Sequence, residues 1–166
     1  MILGIDPGPK KTALVLIDGQ RIPLAFEKVE NREILRFFAG LHYWPDYVGI
    51  ECVACYGMAV GAEVFETAEW CGRIRESVSR QLDDPYIYRV YRKQVKLNIC
   101  GQPKAKDANI RQALIDRYPA IGGGKVPQIG TKKEQGPLYG LHSDLWAALA
   151  VAHTVADMKD QLTIWK

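Results

Sequence analysis

At 166 residues, with 48% hydrophobic and 25% charged side chains, the chain is long enough for one core and too short for two ordinary domains, so a single domain over residues 1–166 is expected. No run approaches the roughly 18 uninterrupted apolar residues of a membrane span. The sequence opens directly into MILGID without a basic leader or cleavage site, so a soluble, cytoplasmic protein with no membrane association is expected. The net charge of +3 is unevenly spread: eleven basic residues face two acids, Asp107 and Asp116, between Arg89 and Lys133, which leaves the remainder net acidic. A concentrated basic stretch beside an acidic half fits a polyanion surface next to a metal site, and a solvated basic face would read the same way on charge alone.

In chain order, ILGI (2–5) and TALVLI (12–17) predict two short apolar strands joined by a Pro, Gly and Lys turn. RIPLAFEKV (21–29) continues the antiparallel meander after the DGQ turn. REILRFFAGLHY (32–43) predicts a short helix and DYVGIECV (46–53) a fourth strand. Residues 60–82 predict a long helix with a stripe at Val64, Ala68, Cys71, Arg75, Val78 and Leu82, in which Arg75 is the polar break. YIYRV (86–90) predicts a fifth strand, KDANIRQALIDRY (106–118) a helix and residues 143–158 the closing helix. The segment 119–141 between those helices is rich in Gly and Pro, basic near its middle, and long for a structureless loop, which marks it as functional or mobile. The order of elements defines an α/β class.

Four cysteines without a secretory signal predict reduced thiols. Cys52 and Cys55 have metal-pair spacing, but Cys71 and Cys100 stand alone rather than in a second pair, so partly buried structural thiols are expected rather than zinc ligands.

Three acids stand out against this frame. Asp6 follows the first strand and precedes PGPKK; Glu51 ends the apolar YVGI; Asp144 stands at the mouth of the alanine-rich closing helix. An ionised Glu in an apolar strand is costly unless paired or metal-bound, whereas Asp6 can also be a turn residue and Asp144 a helix N-terminal charge. Brought together, three carboxylates suit a hard cation such as Mg²⁺.

ILGIDPG, PDYVGIECV, RKQVKLNICG followed by KAKDANIRQALI, and ALAVA in the last helix, in this order over nearly the whole chain, resemble the RuvC-type Holliday junction resolvases of the ribonuclease H-like superfamily. The resemblance implies a five-stranded mixed sheet, three antiparallel strands then two parallel ones, flanked by helices. It also implies a homodimer that cuts four-way DNA junctions with two Mg²⁺ ions, for which Mn²⁺ can substitute. By position Asp6, Glu51 and Asp144 match the family's catalytic, metal-binding acids, and Lys96 and Lys106 match lysines near the scissile phosphate. Arg92, Lys93, Lys104, Arg111, Lys132 and Lys133 complete the expected DNA-binding set.

Two positions depart from the family. Its fourth acid, one turn after Asp144, is Ala147 here, with the upstream His142 the nearest auxiliary candidate for ligand or proton carrier. Its aromatic wedge position is Ala54, and the nearest aromatic is Tyr56, which serves either as a displaced wedge or as cover for the neighbouring segment. The missing acid keeps a second reading open: a domain that binds branched DNA without cutting it. GIDPG followed by a basic residue also opens actin-like and sugar-kinase ATPases, but that two-lobed fold needs about twice this length, so no nucleotide cofactor is expected.

Overall fold

The computed structural model describes residues 1–39, 45–55, 57, 59–81 and 86–165. Tyr56 and Leu82, both singled out by sequence, lie outside the described residues. Strands β1 (Ile2–Pro7), β2 (Lys11–Ile17) and β3 (Pro23–Glu30) form the expected antiparallel meander. After helix α1 (Ile34–Ala39), strand β4 (Tyr47–Cys52) pairs parallel to β1; helix α2 (Ala62–Gln81) then leads to β5 (Tyr86–Tyr91), parallel to β4.

A sixth strand, β6 (Thr163–Ile164), pairs antiparallel with β5, so the sheet order is β3-β2-β1-β4-β5-β6. Sequence reading expected five strands and missed this one because two residues cannot display an alternation. It is fastened by a hydrogen bond from Trp165 N to Ile87 O (2.7 Å) and by the Arg89 guanidinium, 4.4 Å from the Trp165 ring centroid.

Alternation along the strands divides the core. Leu3, Ile5, Leu14, Leu16, Val48 and Ile50 face α1 and α2, while Ala13, Val15, Ile17 and Val90 face the helices on the other side. Those helices are α3 (Arg92–Cys100), α4 (Asp107–Ile115) and α5 (Leu145–Met158). Helix α2 buries Thr67, Cys71, Ile74, Ser77 and Val78 and leaves Ala68 exposed, so it is rotated from the expected stripe. Its polar face residue Thr67 is tolerated because its hydroxyl donates to Glu63 O (2.8 Å).

Helix α5 crosses the sheet at very close range. A Cβ on Gly4 would fall 2.1 Å from Ala148 O, and one on Gly49 2.6 Å from Val155 Cγ2. Glycines on β1 and β4, with the alanine-rich face of α5, therefore set how near the helix lies and where its N-terminal end is carried. At the other end of α5, His153 is buried. The Tyr118 hydroxyl donates to Arg21 O (2.7 Å) and sits 2.8 Å from His153 Nε2, so a neutral ring with its proton on Nε2 satisfies both; Nδ1 then accepts from Arg117 Nη1 at 3.4 Å. Burial, then the charges of Arg117 and Arg21, hold the His153 pKa down to about 4.

The 119–141 segment is folded on itself. Gly122 N bonds to Pro127 O, Gly123 N to Glu134 O and Gly136 N to Ile129 O, each at 2.9 Å, and Leu138 is fully buried at its root. Gly130 is required here: its φ is +80°, and a Cβ would lie 2.3 Å from Gly136 N.

Candidate active site

The acids of β1 and β4 are brought together by strand register. The parallel pairing sets Ile5 opposite Ile50, so Asp6 and Glu51 are the next residues on neighbouring strands. By alternation both leave the sheet on the α5 side, as Gly4 and Gly49 do. Asp144 caps α5 at its N-terminal end but makes no side-chain hydrogen bond to the helix. Asp6, Glu51, Asp144 and Ala147 line one cleft of about 270 Å³. A second cavity, of about 370 Å³, opens beside Asp6 and Glu51 between the β4 end and α2, with walls that include Val53, Val60 and Val64.

Electrostatics follow from this crowding. Asp6 is only partly buried by area, yet its carboxyl group is enclosed by protein. Burial and then the neighbouring Glu51 carboxylate push its pKa well above the usual carboxylate range, against the pull of Arg92. Burial raises the Glu51 pKa as well, opposed chiefly by Arg92. Asp6 makes no hydrogen bond or ion pair of its own among the described residues.

The other acids hold cations. Arg92 Nη1 lies 3.3 Å from Glu51 Oε2, and its Nη2 pairs with Asp107, the first residue of α4; Lys28, on β3, pairs with Asp144. Arg92, an expected DNA contact, is engaged with carboxylates here, since helix α3 begins directly after β5 and places that side chain beside Glu51. Among the described residues no group of three or more His, Cys, Asp and Glu side chains is closed tightly enough to hold a metal ion as it stands. The expected ligand set of Asp6, Glu51 and Asp144 therefore shares a cleft without forming a shell. The donor chemistry nevertheless fits a hard divalent cation: oxygen donors only, one of them unpaired, with exchangeable cations on the rest.

The other expected residues separate. Lys96 is partly buried, and its charge acts on Glu51. Lys106, Lys93, Lys104, Arg111, Lys132 and Lys133 are exposed. Arg111 stacks 4.9 Å from the ring centroid of Trp146, which also lines the acidic cleft. His142 is exposed and is not among the residues lining that cleft. Cys71 is buried and Cys52 and Cys100 partly so, but Cys55 is exposed rather than partly buried as expected. Sequence reading missed Asp107 and Lys28. Asp107 had a signal, an acid opening a helix beside an expected catalytic lysine; Lys28 had none, since only the fold brings β3 to Asp144.

A three-layer α/β/α sandwich with carboxylates at the ends of β1 and β4 and at the start of the last helix defines a ribonuclease H-like fold. Among solved structures, the chain superposes on Thermus thermophilus RuvC with a TM-score of 0.67 at 20% sequence identity, covering 99% of both chains. It superposes on T. thermophilus RuvC in complex with a Holliday junction substrate with a TM-score of 0.66 at 17% identity, covering 99% of this chain and 98% of that one. The fold is that of RuvC. No family model matches the sequence, and no curated protein matches it. No helix among the described residues is long and apolar enough to cross a membrane.

Proposed function

We propose that the protein is a structure-selective DNA endonuclease that resolves four-way junctions by paired, divalent-metal-dependent phosphodiester hydrolysis, acting as a homodimer. The observation that carries this reading is the convergence of Asp6, Glu51 and Asp144 on one cleft in a RuvC fold. The solved T. thermophilus RuvC complex holds a Holliday junction substrate, which supports branched DNA as the ligand class.

Asp6, Glu51 and Asp144 would hold Mg²⁺, or Mn²⁺ in its place, and the bound ions would supply an activated water and stabilise the leaving oxygen. The chain's own cations do the remainder. Lys96 keeps positive charge beside Glu51, where a phosphate would enter. Arg92 and Lys28 balance the carboxylates in the free protein and are placed to move to phosphate oxygens when DNA arrives, since a guanidinium binds phosphate as well as carboxylate. Lys106, Arg111, Lys93 and Lys104 extend the positive surface along α3 and α4, and Lys132 and Lys133 stand on the self-bonded loop beyond them.

The test is incubation of a synthetic four-way junction, a fork and a linear duplex with Mg²⁺. Symmetrically paired nicks on the junction alone are expected. The non-cleaving reading has one observation in its favour, the methyl group of Ala147 where a fourth acid would stand; junction binding without nicks in either Mg²⁺ or Mn²⁺ would establish it instead.

A further inference from the structure

We propose that Asp107 is the fourth carboxylate of the cleft, a ligand for the divalent cation delivered from the start of α4 instead of from the first turn of α5. The inference rests on the metal-dependent reading above and names the group that stands in for the acid absent at Ala147.

Asp107 lines the same cleft as Asp6, Glu51, Asp144 and Ala147. Glu51 and Asp107 already share one cationic group, the Arg92 guanidinium, which reaches both through its two terminal nitrogens. Two carboxylates close enough to hold one guanidinium between them are candidates to hold a compact divalent ion when it leaves. Arg92 and Lys28 pair with three of the four acids and leave Asp6, its carboxyl group enclosed, without an ion pair among the described residues. An enclosed carboxylate without an ion pair among the described residues, beside three acids held by two side-chain cations, marks where an added cation has most to gain.

Beyond a favourable charge in its first turn, helix α4 gives the Asp107 carboxylate no hydrogen bond among the described residues. Lys106 is the N-cap, and its N–H is taken by Asn109 Oδ1 at 2.9 Å; the Asp107 carboxylate turns to Arg92. Its side chain is 79% exposed, so no packing holds it in one rotamer. That exposure also makes its replacement safe for folding.

The alternative role is that Asp107 only positions Arg92. A double substitution separates the two, with Mn²⁺ as the probe and electron paramagnetic resonance of the free ion as the readout, on the full chain without DNA. Arg92→Gln should tighten Mn²⁺ binding by removing the competing cation. Adding Asp107→Asn to that variant should weaken it by about tenfold, the lower end of the loss seen when groups around a metal site are removed. Equal Mn²⁺ affinity of Arg92→Gln with and without Asp107→Asn would overturn the proposal, since a residue that serves only Arg92 has nothing left to do once Arg92 is gone. Asp6→Asn is measured alongside. If it weakens Mn²⁺ binding and Asp107→Asn does not, the metal cleft stands and Asp107 is excluded from it; if neither changes the affinity, the metal-dependent reading itself falls. Unchanged circular dichroism melting of the Asp107 variants confirms that a change in affinity reports the site.

Discussion

Substituting Gly4 with Ala tests whether the seat of α5 determines the site. The added Cβ would meet Ala148 O at 2.1 Å and Ala152 N at 2.7 Å, both backbone atoms, whereas ordinary contact begins near 3.4 Å. No side chain can turn aside, so the helix must withdraw by about 1 Å, and overpacking of this kind costs roughly 1–3 kcal/mol or more. The same withdrawal carries Asp144 away from Asp6, and a displacement of that size at a reacting centre costs about 100-fold in rate. At Gly49 the added Cβ meets only side-chain methyls, Val155 Cγ2 at 2.6 Å and Val151 Cγ1 at 2.8 Å. Gly49→Ala should therefore be milder and be relieved by adding Val155→Ala, whereas no side-chain trimming on α5 should relieve Gly4→Ala. Urea unfolding followed by circular dichroism gives the stability, and junction nicking at saturating Mg²⁺ gives the rate. Wild-type stability in Gly4→Ala would refute the argument that a glycine is needed there, and normal nicking in a variant with a displaced helix would refute the link from that seat to the site.

Replacing Asp6 by Asn should abolish nicking yet raise stability by roughly 1 kcal/mol, because a carboxylate whose ionisation is opposed by burial and by Glu51 is costly in the fold; a thermal melt with a lowered midpoint would contradict this. His153, held down to about 4 against an ordinary value near 6.5, makes the folded state resist a proton that the unfolded chain accepts. Its contribution is complete above about pH 6.5, is lost as pH falls toward 4, and amounts to about 3 kcal/mol. Urea unfolding of wild type and His153→Gln from pH 4 to 7.5 should show that slope in the wild type and its absence in the variant; parallel curves would mean that the fold does not resist protonation of the ring. Lys132→Ala with Lys133→Ala should reduce the dependence of log affinity on log salt by about one to two, measured by fluorescence anisotropy on a labelled junction, and an unchanged slope would remove the loop from the DNA surface.

Asp6 and Glu51 could be read from sequence because each ends an apolar run, where a charge stands out against its neighbours. The five main strands were legible for the same reason: their apolar residues have the period of a strand. Helix α3 leaves little trace in the sequence, since RKQVKLNIC is mostly polar and just Val95 and Ile99 are buried. The α2 stripe misled because its buried face includes Thr67 and Ser77, hydroxyls that hydropathy counts as exposed. The tally of charge in the basic stretch hides local pairing: Arg89 stacks on Trp165, Arg92 bridges two acids, and Arg117 pairs with Asp157. No periodicity reports such pairings, because partners 15 or more residues apart meet only through the fold.

The dependence of the cleft on α5 also governs when it can exist during synthesis. Its acids come from residues 6, 51, 107 and 144, and the helix that closes it lies against strands made more than a hundred residues earlier. Contacts at such separation form late and slowly. Until that helix emerges, β1, β2 and β4 have one apolar face uncovered and the carboxylates have no common cleft. A chain interrupted before residue 144 is thus a hazard of aggregation, and it carries no assembled acidic cleft.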